Sequence, residues 1–296
     1  MSRAVRISAL SLALASCDAQ PAPIGLDEPI RARGAQFIAG ELPAPSGGPA
    51  VTLATTNNAI VLHGQGGKLF TGRANDHAAA VALRLAGSGT GYWVFPLAGP
   101  DPQYPGELTW SATCDFAPSA APGPRSFLFA AIDGEGRAGA TFTLPMCIAG
   151  PVPDNLHLCD PTRPPPDVVL RLSWDSDVDL DLVVVAPDGR EISAKASRGE
   201  GDARVDRDSL AACAKDGLRV EHVVFPARPS GRFNVFASLF DACGLPAVRF
   251  TLDVLEAQGE GAARQLVRRE TRSGRMIDLD ANGGRDRGLF IIDPTF

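Results

Sequence analysis

Apolar residues along this chain come in short runs, many of them alternating with polar ones, and no long helical stripe interrupts them. The first series reads "AIVLH", "KLFTG", "AAAVALRL", "GYWVFPL", "GELTWSATCDF", "RSFLFAAI" and "GATFTLPMC", separated by turn text such as "HGQGGK", "AGSGTG", "GPDPQYPG" and "DGEGRAG". Residues two apart on a strand share a face, which puts Leu108, Trp110, Ala112 and Cys114 together. "AAAVALRL" has helical propensity from its alanines, but its length and glycine borders predict a strand. A second series follows residue 167: "VVLRLSW", "VDLDLVVVA", "REISAK", "EHVVF", "GRFNVFASLF", "VRFTLDVLEA", "RMIDLD" and "GLFIID". The one helical expectation is "SLAACAKDG", residues 209–217, ending at Gly217. Short strands at this spacing predict an all-β chain of two β-sandwiches in tandem, over 50–150 and 167–296.

Two stretches lack the pattern. Residues 17–49 are rich in Pro, Ala and Gly and predict a tether. Residues 151–166 end in Pro164, Pro165 and Pro166, which can neither continue a helix nor sit in a central strand, so they predict a stiff linker. At 296 residues, with 45% hydrophobic and 21% charged, there is room for two buried cores. A net charge of −6 supplies no basic surplus for phosphates and excludes a nucleic-acid partner.

Residues 1–16 open with Arg3 and Arg6 and continue through an apolar stretch too short to span a bilayer. Leu14-Ala15-Ser16-Cys17 then resembles the lipobox of bacterial lipoproteins, which implies cleavage of 1–16 as a signal peptide and a lipid on Cys17. The expectation is an exported protein of the bacterial envelope, held to a membrane through its N-terminal lipid. Asp18 bears on whether that is the inner or the outer membrane. Outside the cytoplasm thiols pair. Cys213 and Cys243 fall in one domain and can close a loop; of Cys114, Cys147 and Cys159 one is left over. No C-x-x-C and no cysteine–histidine cluster occurs to suggest structural zinc.

The densest chemistry is "LSWDSDVDLDLVVVAPDG", with Asp175, Asp177, Asp179 and Asp181 at every second position. If Leu180, Leu182 and Val184 face the core, Asp179 and Asp181 share the opposite face. Asp206, Asp208, Asp216 and Glu221 follow downstream. Two arrangements are open. In one, Asp175, Asp179 and Asp181, with Asp206, Asp208 or Glu221, surround a hard divalent cation, calcium by preference for oxygen ligands. In the other, a solvated face is kept apart by Arg204, Arg207 and Arg219. Leu180 stands where an EF-hand loop needs glycine, so that motif is excluded.

The same stretch, followed by "DRDSLAACAKDGLRVEHVVF" and "GRFNVFASLFDACG", resembles the YfaP-like domain of unknown function in exported bacterial proteins, myxobacterial surface lipoproteins among them. The pattern W-D-x-x-x-D-L-D-L-x-V-x-x-P-x-G is met by Trp174, Asp175, Asp179, Leu180, Asp181, Leu182, Val184, Pro187 and Gly189. The resemblance covers 167–296 and implies export and a β-sandwich, but no known activity. A histidine common after the D-L-D-L run is replaced by Val183. The first domain resembles immunoglobulin- or fibronectin-like modules only generically.

No enzyme is expected. His63, His77, His157 and His222 are scattered, no G-x-S-x-G elbow occurs, and "GQGGK" lacks the residues of a phosphate loop. Asp76 and His77 are neighbours and would point apart on a strand. Trp93, in "YWVF", is assigned to the core rather than to a sugar platform. The reading is a non-catalytic binding or structural protein with an unidentified protein or glycan partner; the alternative is a carbohydrate-binding module or accessory protein. An aromatic content of 6% leaves that alternative few residues to stack a sugar on.

Overall fold

A computed structural model describes Gly25 and residues 28–296. Cys17, the signal segment 1–16 and most of the tether up to residue 27 lie outside the described residues. The described chain is all-β and folds as two sandwiches, each of two sheets over its own core.

The first sandwich comprises β1 (Ile30–Ala32), β2 (Gln36–Ala39), β3 (Val51–Thr55), β4 (Ile60–Val61), β5 (Lys68–Asn75), β6 (Ala80–Leu85), β7 (Gly91–Pro96), β8 (Glu107–Phe116), β9 (Gly123–Ile132) and β10 (Phe142–Ile148). One sheet runs β1-β8-β5-β3 and the other β2-β7-β6-β9-β10-β4. Alternation along β5 and β8 turns Phe70, Trp110, Ala112 and Cys114 inward, while Leu108 is only partly covered. Phe70, Phe127, Phe129 and Trp110 meet at ring separations of 5.0–6.1 Å. Trp93 is buried as expected, and its Nε1–H donates to the carbonyl of Ile30 at 3.0 Å.

The predicted tether therefore stops short of residue 49. Ile30–Ala32 pairs with β8 and Gln36–Ala39 with β7, with Ile30, Ala32 and Phe37 in the core. These strands are too short to show periodicity, and their stability comes from remote partners rather than local sequence.

The second sandwich comprises β11 (Val168–Trp174), β12 (Asp179–Val185), β13 (Glu191–Ile192), β14 (Arg204–Val205), β15 (Val220–Phe225), β16 (Asn234–Asp241), β17 (Ala247–Gln258), β18 (Gln265–Ile277) and β19 (Leu289–Ile292). Its sheets run β14-β15-β11-β17-β18 and β13-β12-β16-β19. Leu170, Leu172, Leu180, Leu182, Val184, Val223, Phe225, Phe250 and Leu252 fill the space between them. Because β13 meets β12 only at Val184 and Val185, the first half of β12 is an open edge on that side.

"SLAACAKDG" is not an α-helix. It forms one 3-10 turn at Ala211–Cys213, with Leu210, Ala212 and Cys213 at φ of 62°, 50° and 63°. Two outside restraints override its helical propensity: Asp179 captures the Ala212 N–H, and Cys213 is bonded to Cys243. Residues 149–167 hold no strand, as the linker expectation had it, but a Cys147–Cys159 disulfide ties their first part back to β10. Cys114 is the leftover thiol, fully buried, and burial pushes its pKa up to about 12, so it is inert.

A buried carboxylate cluster at the open edge of β12

β12 alternates Leu180, Leu182 and Val184 into the core, which sends Asp179 and Asp181 to the other face of the same sheet. That face is not solvated. Asp179 is 3% and Asp181 8% exposed, so the expectation of carboxylates standing in water fails. The arginines expected to separate them are employed elsewhere: Arg207 pairs with Asp206, Arg219 with Asp177, and Arg204 lies on the edge strand β14.

The four alternating aspartates divide into two pairs. Asp175 Oδ1 accepts the Arg249 N–H at 3.0 Å and the Ser176 hydroxyl at 2.7 Å, which fixes the end of β11 to β17 and lowers its pKa. Asp177 pairs with Lys215 at 2.9 Å and Arg219 at 2.7 Å, and its pKa falls likewise. Neither lies in the group of carboxylates that converges, so the structure places Asp175 apart from Asp179 and Asp181. Asp206 also drops out of the set. It contacts His222 Nδ1 at 2.8 Å and Arg207 Nε at 3.1 Å, and those cationic and hydrogen-bonding partners outweigh its burial and hold its pKa low.

Asp179, Asp181 and Asp208 do converge, each offering a carboxylate oxygen within 4.8 Å of the other two. Asp179 Oδ2 accepts the Ala212 N–H at 2.7 Å. No described group donates a hydrogen bond to Asp181 or to Asp208. Burial, then repulsion from neighbouring carboxylates, pushes Asp179 up to about 6 and Asp181 up to about 7. Asp208 is raised by its partial burial and by Asp216.

Glu221 borders the cluster without joining it. It is fully buried, with Oε2 accepting the Leu182 N–H at 2.7 Å and Oε1 the Ser209 N–H at 3.2 Å. Burial, with Asp181 nearby, raises its pKa well above the carboxylate range. Its carboxylate caps the open edge of β12, a role no spacing rule signals. Asp241 was missed by sequence reading: it pairs with Asp179 across the β12–β16 ladder and adds to the repulsion there. A second convergence, Cys213, Asp241 and Cys243, offers no thiolate because both sulfurs are in the disulfide.

Three convergent carboxylates, two of them buried and two without a described donor, have the oxygen-only chemistry that calcium takes. The Asp76–His77 pair sits on a turn rather than a strand, and its side chains do touch at 3.2 Å, but both are exposed. A sugar platform is poorly provided for: all three tryptophans are buried, and the exposed Tyr104 ring is covered by Arg73 at 3.4 Å.

No protein-family model matches the chain, and no curated protein does. Among solved structures, dimeric latent PorU from Porphyromonas gingivalis aligns over 77% of this chain and 20% of its own length, at 11% identity and a TM-score of 0.24. The chain thus spans about a fifth of that protein. The C-terminal domain of the AgI/II polypeptide BspA of Streptococcus agalactiae aligns over 76% of this chain and 98% of its own, at 12% identity and a TM-score of 0.24. SGBP-B of a Bacteroides ovatus mixed-linkage glucan utilization locus, in complex with a heptasaccharide, aligns over 68% and 66%, at 10% identity and a TM-score of 0.17. Likenesses this distant assign the chain to no family.

Proposed function

We propose that the chain is an exported envelope protein, lipid-anchored at Cys17, whose second sandwich holds a divalent cation between Asp179, Asp181 and Asp208. Its role is non-catalytic, binding or structural, towards a protein or glycan partner. Calcium is the ion of choice, because it accepts carboxylate oxygens in flexible geometry and completes its six to eight ligands with water. The supporting observation is Asp181, 8% exposed, facing two other carboxylates and receiving no hydrogen bond. A buried charge in that position needs a counter-charge.

Thermal melts of the mature chain in chelator and in millimolar calcium test the cation. An ion bound only by the folded state stabilises it by about 2.7 kcal/mol at a hundredfold excess over its dissociation constant. A rise of several degrees is expected, absent in Asp181→Asn. Identical melts in both buffers would overturn the site.

A further inference from the structure

The outer face of the β13-β12-β16-β19 sheet carries a cavity of about 420 Å³. Asp181 and Ser238, paired across β12 and β16, form its buried floor. Ser193 and Lys195, just after β13, make one wall, and the 284–287 turn before β19 makes the other. That turn is fixed from within. Asn282 Nδ2 donates to Ser238 Oγ at 3.2 Å and to Asp286 Oδ1 at 2.8 Å, and the Gly288 N–H donates to the same Asp286 oxygen at 2.8 Å. Lys195 Nζ donates to the Gly284 carbonyl at 2.6 Å, in space that a Cβ on Gly284 would fill. The walls are thus set before any ligand arrives, which spares binding the cost of ordering them.

Three carboxylates and three cations line the cavity, and most of them satisfy one another. Glu191 accepts the Ser193 hydroxyl at 2.9 Å and Arg287 Nε at 3.4 Å, and Asp286 is taken up by its own turn. What remains is Asp181 on the floor, 8% exposed and without a hydrogen bond, and two cations at the mouth. Lys195 keeps two of its three N–H donors, and the exposed Arg285 side chain has no partner among the described residues. Asp181 also belongs to the carboxylate cluster, whose other members, Asp179 and Asp208, do not line the cavity. A cation held by the cluster would therefore sit behind the cavity floor. Three carboxylates need not fill the six to eight positions of calcium, so oxygens from the cavity can complete them.

We propose that this cavity binds a uronate residue of an acidic glycan, with neighbouring sugar hydroxyls completing the shell of the cation at Asp181 and the sugar carboxylate meeting Lys195 and Arg285. The proposal rests on the cation reading of the same carboxylates and names the class of ligand that goes with it. No aromatic ring lines the cavity, so a neutral sugar has no face to stack on and recognition falls to charge. Ion pairs between a carboxylate and Lys or Arg supply it, strengthened by charge-assisted hydrogen bonds. An acidic peptide brings the anion but not the adjacent hydroxyls that an incompletely coordinated hard cation takes.

The test is calorimetric titration of the mature chain with a tetrasaccharide of alternating glucuronate and N-acetylglucosamine, in millimolar calcium and in chelator. Its carboxyl-reduced form and a tetraglutamate peptide serve as comparisons, and calcium melts are run on every variant. Binding is expected in calcium only, and to the uronate ligand only. Arg285→Gln and Lys195→Ala should each weaken it by about tenfold, while the calcium-induced rise in melting temperature stays as in wild type. Both side chains are exposed, so these variants fold. Asp181→Asn should abolish both effects. A calcium-induced rise without glycan binding overturns this proposal and leaves the cation site standing; no rise at all overturns the cation reading and this proposal with it. Equal binding of the reduced sugar or of tetraglutamate, binding that persists in chelator, or binding unaltered when Lys195 and Arg285 are both replaced would also overturn it.

Discussion

Glu221, on one sheet of the second sandwich, receives the backbone N–H of Leu182, on the other, at 2.7 Å. The contact is needed because β12 has no neighbouring strand there to take that N–H. The same carboxylate holds Ser209, and so positions the segment that carries Asp208. Glu221→Ala strands two buried donors at about 1–3 kcal/mol each. Urea denaturation should show a loss of about 2–6 kcal/mol, and Glu221→Gln, which keeps one acceptor oxygen, a smaller one. Wild-type stability in the alanine variant would refute the capping role.

In chelator, stability should fall as pH rises from about 4 to 7. Asp179 and Asp181 have folded pKa values of about 6 and 7 against an ordinary carboxylate value of 3.8. Over that window the folded chain binds more protons than the unfolded one, so raising pH favours unfolding. The contribution of these two groups is full below about pH 4 and lost as pH passes through their folded values. A tenfold change in proton affinity is worth about 1.4 kcal/mol, which makes the loss on the order of a few kcal/mol. Calcium should abolish the slope, and Asp181→Asn should flatten it in chelator. Denaturant midpoints across this range decide the matter; a rise with pH in chelator contradicts it.

Reducing Cys213–Cys243 opens a loop of sequence separation 30. The chain-entropy model puts that at about 3–4 kcal/mol. It should also loosen the Ala211–Cys213 turn, whose N–H at Ala212 is held by Asp179, and so weaken calcium binding. The comparison is Cys213→Ser/Cys243→Ser against Cys147→Ser/Cys159→Ser. Only the first should alter calcium affinity.

Cys17→Ala should abolish incorporation of a clickable fatty acid and release the protein from membranes. Retained labelling in that variant rules out the anchor.

The all-β class and both sandwiches were legible because alternation in runs such as "LTWSATCDF" is a local signal of a buried face. The Cys213–Cys243 pair was legible as well, from its position in one domain and the expectation of export. Three things were not. β1 and β2 take their stability from β8 and β7, partners far along the chain. The 209–217 segment reads as helix until Asp179 and a disulfide bend it into left-handed backbone. Among the acidic residues, spacing separated Asp179 and Asp181 from the core face. Only tertiary structure could show that Asp175, Asp206 and Glu221 are already committed to backbone, histidine and arginine partners.

The Cys147–Cys159 bond sets how the two sandwiches can be pulled apart. With it closed, tension leaving β10 passes through sulfur, and only the few residues between Cys159 and Val168, four of them proline, can pay out. At about 3.3–3.6 Å per residue that slack is roughly 30 Å. Opening the bond frees a further sequence separation of 12, about another 40 Å, and removes the fixed origin of the strut. Thiol chemistry at the linker is thus a length control, acting on how far the second sandwich can travel from the first.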